Sequence, residues 1–115
     1  MTRNADELLP LRAADLHILM ALLREDLHGY AIMQQVSADS DGQVALELGS
    51  LYRVIARLHD AGLIVPVRPR KASDDPRRRY YRITALGRET AAAEARRLAG
   101  VVRLARAQRL LEGTV

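Results

Sequence analysis

The sequence of 115 residues contains no cysteine, no tryptophan and no phenylalanine. Without cysteine, the chain can form no disulfide bond, no thiolate metal site and no cysteine nucleophile. Its four tyrosines are the only large aromatic side chains, so the core must consist of Leu, Val, Ile, Ala and Met. This composition favours a helix-rich fold over a β-sandwich, because strands are enriched in aromatic and β-branched residues.

Long apolar runs are also lacking. No stretch approaches the roughly 20 apolar residues that cross a bilayer, and the N-terminal segment Met1–Asp6 lacks the apolar centre of a signal peptide. We therefore expect a cytoplasmic protein with no membrane partner. A hydrophobic content of 49% and a length of 115 residues are typical of one globular domain.

Basic charge is concentrated in one segment. The chain has 18 basic residues, of which Lys71 is the only lysine, and a formal net charge of +4. Residues 63–84 contain seven basic and two acidic residues, a net charge of +5, which leaves −1 for the rest of the chain. Such a segment favours a polyanionic partner. The alternative is a solvated loop that keeps the protein soluble.

Apolar residues recur with helical spacing in the first half of the chain. The spacing predicts helices over residues 12–24, 28–38 and 48–61, with a short extended segment at 43–46. The first helix is apolar on two sides and must be covered twice. We expect its second stripe to contact the last helix or a partner chain; this stripe consists of Leu11, Ala14, Ile18 and Leu22.

Beyond the third predicted helix, the apolar period changes from 3.6 to 2. The pattern predicts a strand over 63–68 with Val65 and Val67 on one side, a polar tip over 69–78 and a returning strand over 79–84. This is a hairpin with a basic tip.

Thr84 is a good N-cap for a last helix predicted over 85–111, about 40 Å long at 1.5 Å per residue. Its apolar residues repeat with heptad-like spacing, and its alanines permit close helix approach. The rest of the chain is too short to cover all sides of this helix. Self-association through the helix is therefore favoured over its burial as an intramolecular core helix. The predicted dimerisation seam consists of Ala91, Ala95, Leu98, Val101, Val102 and Ala105.

The elements follow the order helix, helix, short strand, helix, hairpin, helix, which is that of a winged helix-turn-helix. In this architecture the third helix enters the major groove of DNA, and the hairpin, or wing, lies on the flanking backbone. We therefore expect a mainly α fold with a small β-hairpin. It divides into a DNA-binding domain over 1–84, with its basic wing at 63–84, and a dimerisation helix over 85–115.

Several motifs in this order resemble the PadR family of transcriptional regulators, in its short type with one C-terminal helix. The matching residues span about residues 8–112 and include His28-Gly29-Tyr30, Gly49-Ser50-Leu51-Tyr52-Arg53 and Arg79-Tyr80-Tyr81-Arg82-Ile83-Thr84. The resemblance implies a dimeric repressor that binds an inverted repeat of double-stranded DNA and dimerises through its first and last helices. By position it implies DNA contacts at Tyr30, Gln34, Ser50, Tyr52, Arg53, Arg78, Arg79 and Tyr80.

Some relatives bind a small-molecule effector, phenolic or flat and lipophilic, between the dimer halves. Because this chain lacks Trp and Phe, an aromatic-stacking pocket is not predicted, and we assign no ligand residues.

The charged residues predict contacts of their own. Arg53 and Arg57 lie one turn apart on the third helix, where they can read guanines or clamp phosphates; the alternative is a solvated helix face. The wing bases are expected to act through counterion release and comprise Arg70, Lys71, Arg77, Arg78 and Arg79.

The tyrosines and acids near the wing have distinct expected roles. Tyr81 is predicted in the core and Tyr80 at the surface as a phosphate donor, although a shift of one residue would exchange them. For Tyr30, packing under the third helix and a phosphate contact both remain open. Asp74 and Asp75 at the tip oppose phosphate binding, so the flanking bases are expected to contact DNA.

No catalytic, metal or cofactor site is predicted. The sequence has no Gly-rich phosphate loop, and Ser50 and His59 lie on one helix with no third group to orient them. His17, His28 and His59 lack the spacing of a metal site, so structural or capping roles are expected. The alternative to a DNA-binding regulator is a winged-helix module that binds another protein, which has less reason to concentrate arginine in its wing.

Overall fold

The structure is a computed structural model that describes residues 4–111. After a 3-10 helix, Ala5–Leu8, these residues form four α-helices and three short strands. In chain order the elements are α1 (Ala13–Arg24), β1 (Leu27–His28), α2 (Gly29–Asp39), α3 (Leu48–Asp60), β2 (Ile64–Val67), β3 (Tyr80–Ile83) and α4 (Ala85–Ala107). The expected mainly α fold with a hairpin and a long last helix is confirmed. The outer limits of the two predicted segments, residues 1 and 115, lie outside the described residues.

Helix α3 has one buried stripe and a defined end. The stripe has helical spacing and consists of Leu51, Val54, Ile55 and Leu58. The helix ends in a Schellman motif, in which Gly62 has a φ of +81° and the Leu63 N–H donates to the Leu58 carbonyl oxygen over 3.0 Å. This turn leads directly into β2, so α3 and the hairpin are held close together.

The sheet is antiparallel with the strand order β1-β3-β2, so β3 is its central strand. Ile64 lies opposite Ile83 and is fully buried, whereas Val65 is 37% exposed. Ile64 therefore faces the core, and Val65 faces away from it. The short strand also lies elsewhere than predicted: β1 precedes α2, and the segment at 43–46 is a loop.

Helix α1 is covered on two sides by its own chain. Ile18 is fully buried and Leu22 is 2% exposed, because α2, α3, β3 and α4 all pack around this helix. The assignment of Ile18 and Leu22 to a dimerisation surface is therefore corrected: of the two contacts expected for this stripe, the last helix is the one observed, since α1 packs against α4. The same correction applies to Ala91, which is 5% exposed and belongs to the core. Leu11 and Ala14 are half-buried at the edge.

The start of α4 is fixed by a close backbone contact. A Cβ atom on Gly87 would lie 2.2 Å from the Leu63 carbonyl oxygen, so only glycine fits there. The Thr84 hydroxyl accepts a hydrogen bond from the Gly87 N–H over 3.0 Å and donates one to the Gly62 carbonyl oxygen over 2.7 Å. The capping role of Thr84 is confirmed, and these contacts set the direction in which α4 leaves the sheet.

The second half of α4 extends away from the domain. From Ala95 to residue 111 no described residue is buried. The large apolar side chains exposed within this part of the helix are Leu98, Val101, Val102 and Leu104. At 23 residues the helix is about 34 Å long, which is shorter than predicted because it ends at Ala107.

Glu94 ties α4 to the start of α1. Its carboxylate is almost fully buried, accepts a hydrogen bond from the Leu11 N–H over 2.9 Å and accepts another from Arg97 Nη2 over 3.1 Å. The hydrogen bonds from Arg97, and then that from Leu11, lower the pKa of Glu94 below its ordinary value of about 4.5, although burial opposes this. The fold therefore stabilises the ionised form.

We expect Glu94→Gln to lower the free energy of unfolding at pH 7 by roughly 1–3 kcal/mol, the range for a lost charged hydrogen bond. Because the folded pKa lies below the unfolded value, this contribution is complete above about pH 4.5 and disappears as the pH falls through the folded pKa. Denaturant unfolding at pH 7, 5 and 3 measures the difference between the variant and the wild type.

Glu89→Gln is the matched control, because Glu89 is exposed on the same helix. It should leave stability within about 0.5 kcal/mol, the range for surface substitutions. A deficit of Glu94→Gln that is equally large at pH 7 and pH 3 would contradict an ionisation-dependent role.

Candidate nucleic-acid interface

The N-terminus of α2, helix α3 and the hairpin converge on one side of the domain. They enclose an open cavity of about 240 Å³ lined by His28, Gly29, Tyr30, Tyr52, Arg77, Arg78 and Arg79. Five of the predicted site residues, two tyrosines and three arginines, thus lie around one cavity. Gln34 lies apart from them, on a neighbouring apolar groove between α2 and the loop that precedes α3.

Tyr52 sets the approach between α2 and α3. A Cβ atom on Gly29 would lie 2.9 Å from the Tyr52 hydroxyl oxygen, so the absent side chain makes room for the ring. Tyr52 nevertheless remains 48% exposed and Tyr30 47% exposed. Both tyrosines therefore combine an anchored position with a face open to a ligand.

Arg53 lies on the exposed side of α3. Its Nη2 donates to the Ser50 hydroxyl oxygen over 3.2 Å, which links two predicted contact residues one turn apart. An exposed hydrogen bond of this kind is weak enough to be exchanged for another acceptor. Ser50 and Arg53 thus form one polar group on the face that α3 presents to the outside.

Arg57 departs from the expected arrangement. Its Nη2 donates to Asp15 Oδ1 of helix α1, and the Asp15 side chain is 8% exposed. The guanidinium is therefore held against α1 rather than presented freely beside Arg53. The sequence offered little indication of this pair, because its two members are 42 residues apart.

The acids of the wing tip organise its backbone. Asp74 accepts hydrogen bonds from the Arg70 and Lys71 N–H groups over 3.1 and 3.0 Å. Asp75 accepts one from the Arg77 N–H over 2.9 Å, and hydrogen bonds from Arg77 lower the pKa of Asp75. These carboxylates thus shape the loop that carries the bases, a role that their charge alone did not predict.

Tyr80 is buried, contrary to the prediction that it is a surface phosphate donor. It is 5% exposed, and its hydroxyl oxygen accepts a hydrogen bond from the Asp75 N–H over 2.9 Å. Because β3 is the central strand, one side of it faces the core, where Tyr81 lies as predicted, and the other is covered by His28 and the tip. Tyr80 therefore supports the wing rather than facing outward.

His28 has the capping role that was expected. Its Nδ1 accepts a hydrogen bond from the Ala31 N–H over 3.1 Å at the start of α2, and Arg78 Nη1 lies 3.1 Å from the same atom. Burial, followed by the charge of Arg78, lowers the pKa of His28. The neutral ring is the form that can accept these hydrogen bonds.

The basic residues of the wing fall into two groups. Lys71 pairs with Glu25 at 3.7 Å, and Arg77 and Arg78 pair with Asp75 at 3.2 and 3.7 Å. The Arg78 guanidinium also lies 5.9 Å from the centre of the Tyr30 ring, a cation–π distance.

Within residues 4–111, three wing arginines have no side-chain ion pair or hydrogen bond: Arg68, Arg70 and Arg79. Arg79 also borders a groove of about 180 Å³ between α3 and the wing. It lines both this groove and the cavity described above, each together with Tyr52 of α3.

Residues 4–111 contain no metal-binding cluster and no membrane-spanning helix. No group of three or more His, Cys, Asp or Glu side chains in this range could hold a metal ion. None of the helices in the same range has the length and apolar character that crossing a bilayer requires.

Comparison with known proteins identifies the family. Residues 18–93 match the model of the transcriptional regulator PadR-like family. An uncharacterised protein from Lysinibacillus sphaericus is 35% identical over 71 residues, which are 62% of this chain and 64% of that protein. The chain thus spans just under two thirds of the length of this relative.

Solved structures share the fold. A PadR family transcription regulator from Clostridium difficile R20291 has a TM-score of 0.72 at 24% identity, covering 86% of this chain and 99% of that one. The PadR protein of Bacillus subtilis, solved in complex with operator DNA, has a TM-score of 0.60 at 20% identity, covering 73% of this chain and 47% of that one.

The family model covers far more than half of the chain and includes α2, α3 and the whole wing. Proteins of this family are transcriptional regulators, not enzymes. The chain belongs to the PadR-like family of transcriptional regulators.

Proposed function

We propose that the protein is a dimeric repressor that binds an inverted-repeat operator in double-stranded DNA. The observation that carries this proposal is the convergence of α2, α3 and a basic wing around one exposed cavity. The B. subtilis PadR protein, which shares the fold, was solved in complex with operator DNA. On the same grounds we propose a cytoplasmic location, since a repressor must reach the chromosomal DNA that it binds.

Helix α3 is the proposed recognition helix. A major groove about 12 Å wide admits one α-helix, whose outward residues reach the base edges. Ser50 and Arg53 lie on the outward side of α3, and Tyr52 flanks them toward the wing. We assign base contacts to Arg53 and Ser50, and backbone contacts to Tyr30, Gln34 and Tyr52.

The wing is the proposed phosphate-binding element. An arginine without an intramolecular partner can bind a phosphate without first breaking an ion pair, which favours Arg68, Arg70 and Arg79. Arg77, Arg78 and Lys71 can bind a phosphate only by sharing or exchanging their carboxylate partners. Counterion release therefore should come mainly from the unpaired bases.

Helix α4 is the proposed dimerisation element. Its second half exposes apolar side chains that a monomer would leave in water, and burying them is favourable at about 25 cal/mol per Å². A two-fold dimer carries two recognition helices, and such dimers bind half-sites about one helical turn apart. The proposed seam comprises Ala95, Leu98, Val101, Val102 and Ala105, with Leu11 and Ala14 at its edge.

The proposal is tested by selecting bound fragments from random DNA with the purified full chain. We expect a palindromic consensus, which would establish both sequence specificity and two-fold symmetry. Arg53→Ala should bind that consensus roughly 5- to 150-fold more weakly, the range for one base contact of about 1–3 kcal/mol, with an unchanged melting temperature.

Arg88→Ala is the matched control, because Arg88 is exposed at the start of α4 and has no ion pair within the described residues. It should select and bind the same consensus as the wild type. Recovery of random, unenriched fragments by the wild type would favour the protein-binding alternative.

Arg79→Gln should reduce the slope of log K against log[salt] by about 0.9, the value for one released phosphate contact. Arg77→Gln should change the slope less, because Arg77 already pairs with Asp75. Fluorescence anisotropy of a labelled operator duplex between 50 and 300 mM salt, roughly the range in which such slopes are measured, compares the two. Equal slopes for Arg79→Gln and the wild type would remove Arg79 from the interface.

Val102→Glu should raise the Kd of the dimer at least about tenfold, because it would bury an unpaired charge in the seam. Ala107→Glu adds the same charge to the exposed side of α4 that faces away from the seam, and should leave the dimer intact. Sedimentation equilibrium measures the association state of both variants. A wild-type chain that remains monomeric at micromolar concentration would exclude this part of the proposal.

A further inference from the structure

We propose that Asp15 is a positioning residue for the recognition helix: by holding Arg57, it fixes the rotation of α3 and thus the place of Arg53 in the major groove. This inference rests on the proposed function. It concerns the contact between α1 and α3 that the side chains of Asp15 and Arg57 make. Asp15 touches no nucleic acid itself.

The first step is the cost of burying Asp15. The residue is 6% exposed, and its carboxylate has one hydrogen-bond partner within the described residues, the guanidinium of Arg57. A buried carboxylate without a partner is strongly unfavourable, and breaking such a pair costs more than the pair contributes. The position of Arg57 is therefore constrained by the position of α1.

The second step is the geometry of α3. Arg53 and Arg57 are four residues apart and so lie on the same side of the helix. The buried stripe of α3 is entirely aliphatic, and apolar burial has no preferred direction, so its packing and the Tyr52 ring beside Gly29 limit small rotations of the helix without a hydrogen bond. The directional contact at Arg57 resists such rotations, and Arg53 turns with it.

The third step connects α1 to α4. The Leu11 N–H, two residues before α1 begins, donates to Glu94, which in turn pairs with Arg97. Directly beyond Arg97 lies Leu98, the first large apolar side chain of the proposed seam, which is 38% exposed. One helix, α1, thus carries polar contacts to both the recognition helix and the dimerisation helix. In the proposed dimer, Asp15 therefore helps to set the orientation of each α3 relative to the two-fold axis.

Asp15→Asn is the first test, and the measured quantity is the ratio of affinities for the selected operator and for a scrambled duplex. We expect this ratio to fall about tenfold. Affinity for the scrambled duplex and the salt slope should remain unchanged, because no phosphate contact is lost. Circular dichroism verifies that the variant is folded at the temperature used.

The double variant Asp15→Asn/Arg57→Met separates positioning from stability. Removing both charges leaves no buried ion unpaired, so the melting temperature should recover relative to Asp15→Asn. The specificity ratio should stay low, since the directional contact is still absent. Recovery of the ratio together with stability would mean that Asp15 acts only through folding, and would overturn the proposal.

Two controls distinguish the remaining outcomes. Asp39→Asn breaks the exposed Arg24–Asp39 pair between α1 and α2, and should leave the ratio unchanged. Arg57→Met alone should leave the salt slope unchanged; a decrease of about one unit would mean that Arg57 contacts a phosphate directly, which also overturns the proposal. A wild-type chain that fails to discriminate the two duplexes contradicts the proposed function itself, whereas discrimination unaffected by Asp15→Asn contradicts only this inference.

Discussion

Burial of α1 on two sides is the constraint on which the rest of the structure depends. The core contains no Phe or Trp, so its close packing is achieved by aliphatic side chains such as Ile18, Leu19 and Leu22, all essentially inaccessible. Branched aliphatic residues fill space only when the surrounding backbones come close, and among the described residues Tyr81 alone adds an aromatic ring to this core cluster. Two glycines permit that approach, Gly29 beside Tyr52 and Gly87 against Leu63. The exposed surface formed by α2, α3 and the wing is therefore set by a compact, aromatic-poor interior.

Fewer basic side chains of the wing are free of carboxylate partners than its sequence indicates. A net charge of +5 over residues 63–84 treats every base as equal, yet Lys71, Arg77 and Arg78 lie beside carboxylates. The carboxylates are those of Glu25, which lies directly after α1, and of Asp75, which lies in the wing itself. Exposed ion pairs contribute little to stability, with a median of about 0–1 kcal/mol, so their effect here is to orient the bases. Arg68, Arg70 and Arg79, which have no ion pair within the described residues, are the bases that would bind a phosphate without breaking one.

The elements with strong apolar periodicity were predictable, and contacts between distant residues were not. Helices α1, α2 and α3 differ from their predicted ranges by about one residue at either end, because the spacing of residues such as Leu51, Ile55 and Leu58 is itself the signal. The spacing placed Val65 and Val67 on one side of β2 but did not show which side faces the core, since four residues with Pro66 among them give too short a pattern. The alternation of side chains along β3 predicted that Tyr80 is exposed. Its burial follows from the central position of β3 in the sheet and from the wing tip that covers it, and both depend on tertiary structure.

The candidate site shows the same division. Tyr30, Tyr52 and the arginines at 77–79 were predicted as site residues from their places in the sequence, and they do line one cavity. Each lies on or beside an element whose type and order the local sequence encodes. The role of Arg57 depends on Asp15, and the role of Glu94 depends on Leu11, 83 residues earlier in the chain. Nothing in the spacing of these residues relates them. Three residues of the predicted dimerisation surface, Ile18, Leu22 and Ala91, belong to the core, because apolar spacing along a helix does not reveal where the chain's own core ends.

The boundary between core and seam on α4 has a physical consequence for the proposed dimer. Arg97 stands at this boundary, with its side chain 41% exposed while its partner Glu94 is buried. A second copy seated on Leu98 and Val101 would also reduce the access of water to the Arg97 guanidinium. Charge interactions strengthen as the effective dielectric constant falls, so association would tighten the Arg97–Glu94 pair and, through it, the contact with Leu11 at the start of α1. Dimerisation and the seating of α1 are thus expected to support each other, which links the association state of the protein to the orientation of its recognition helices.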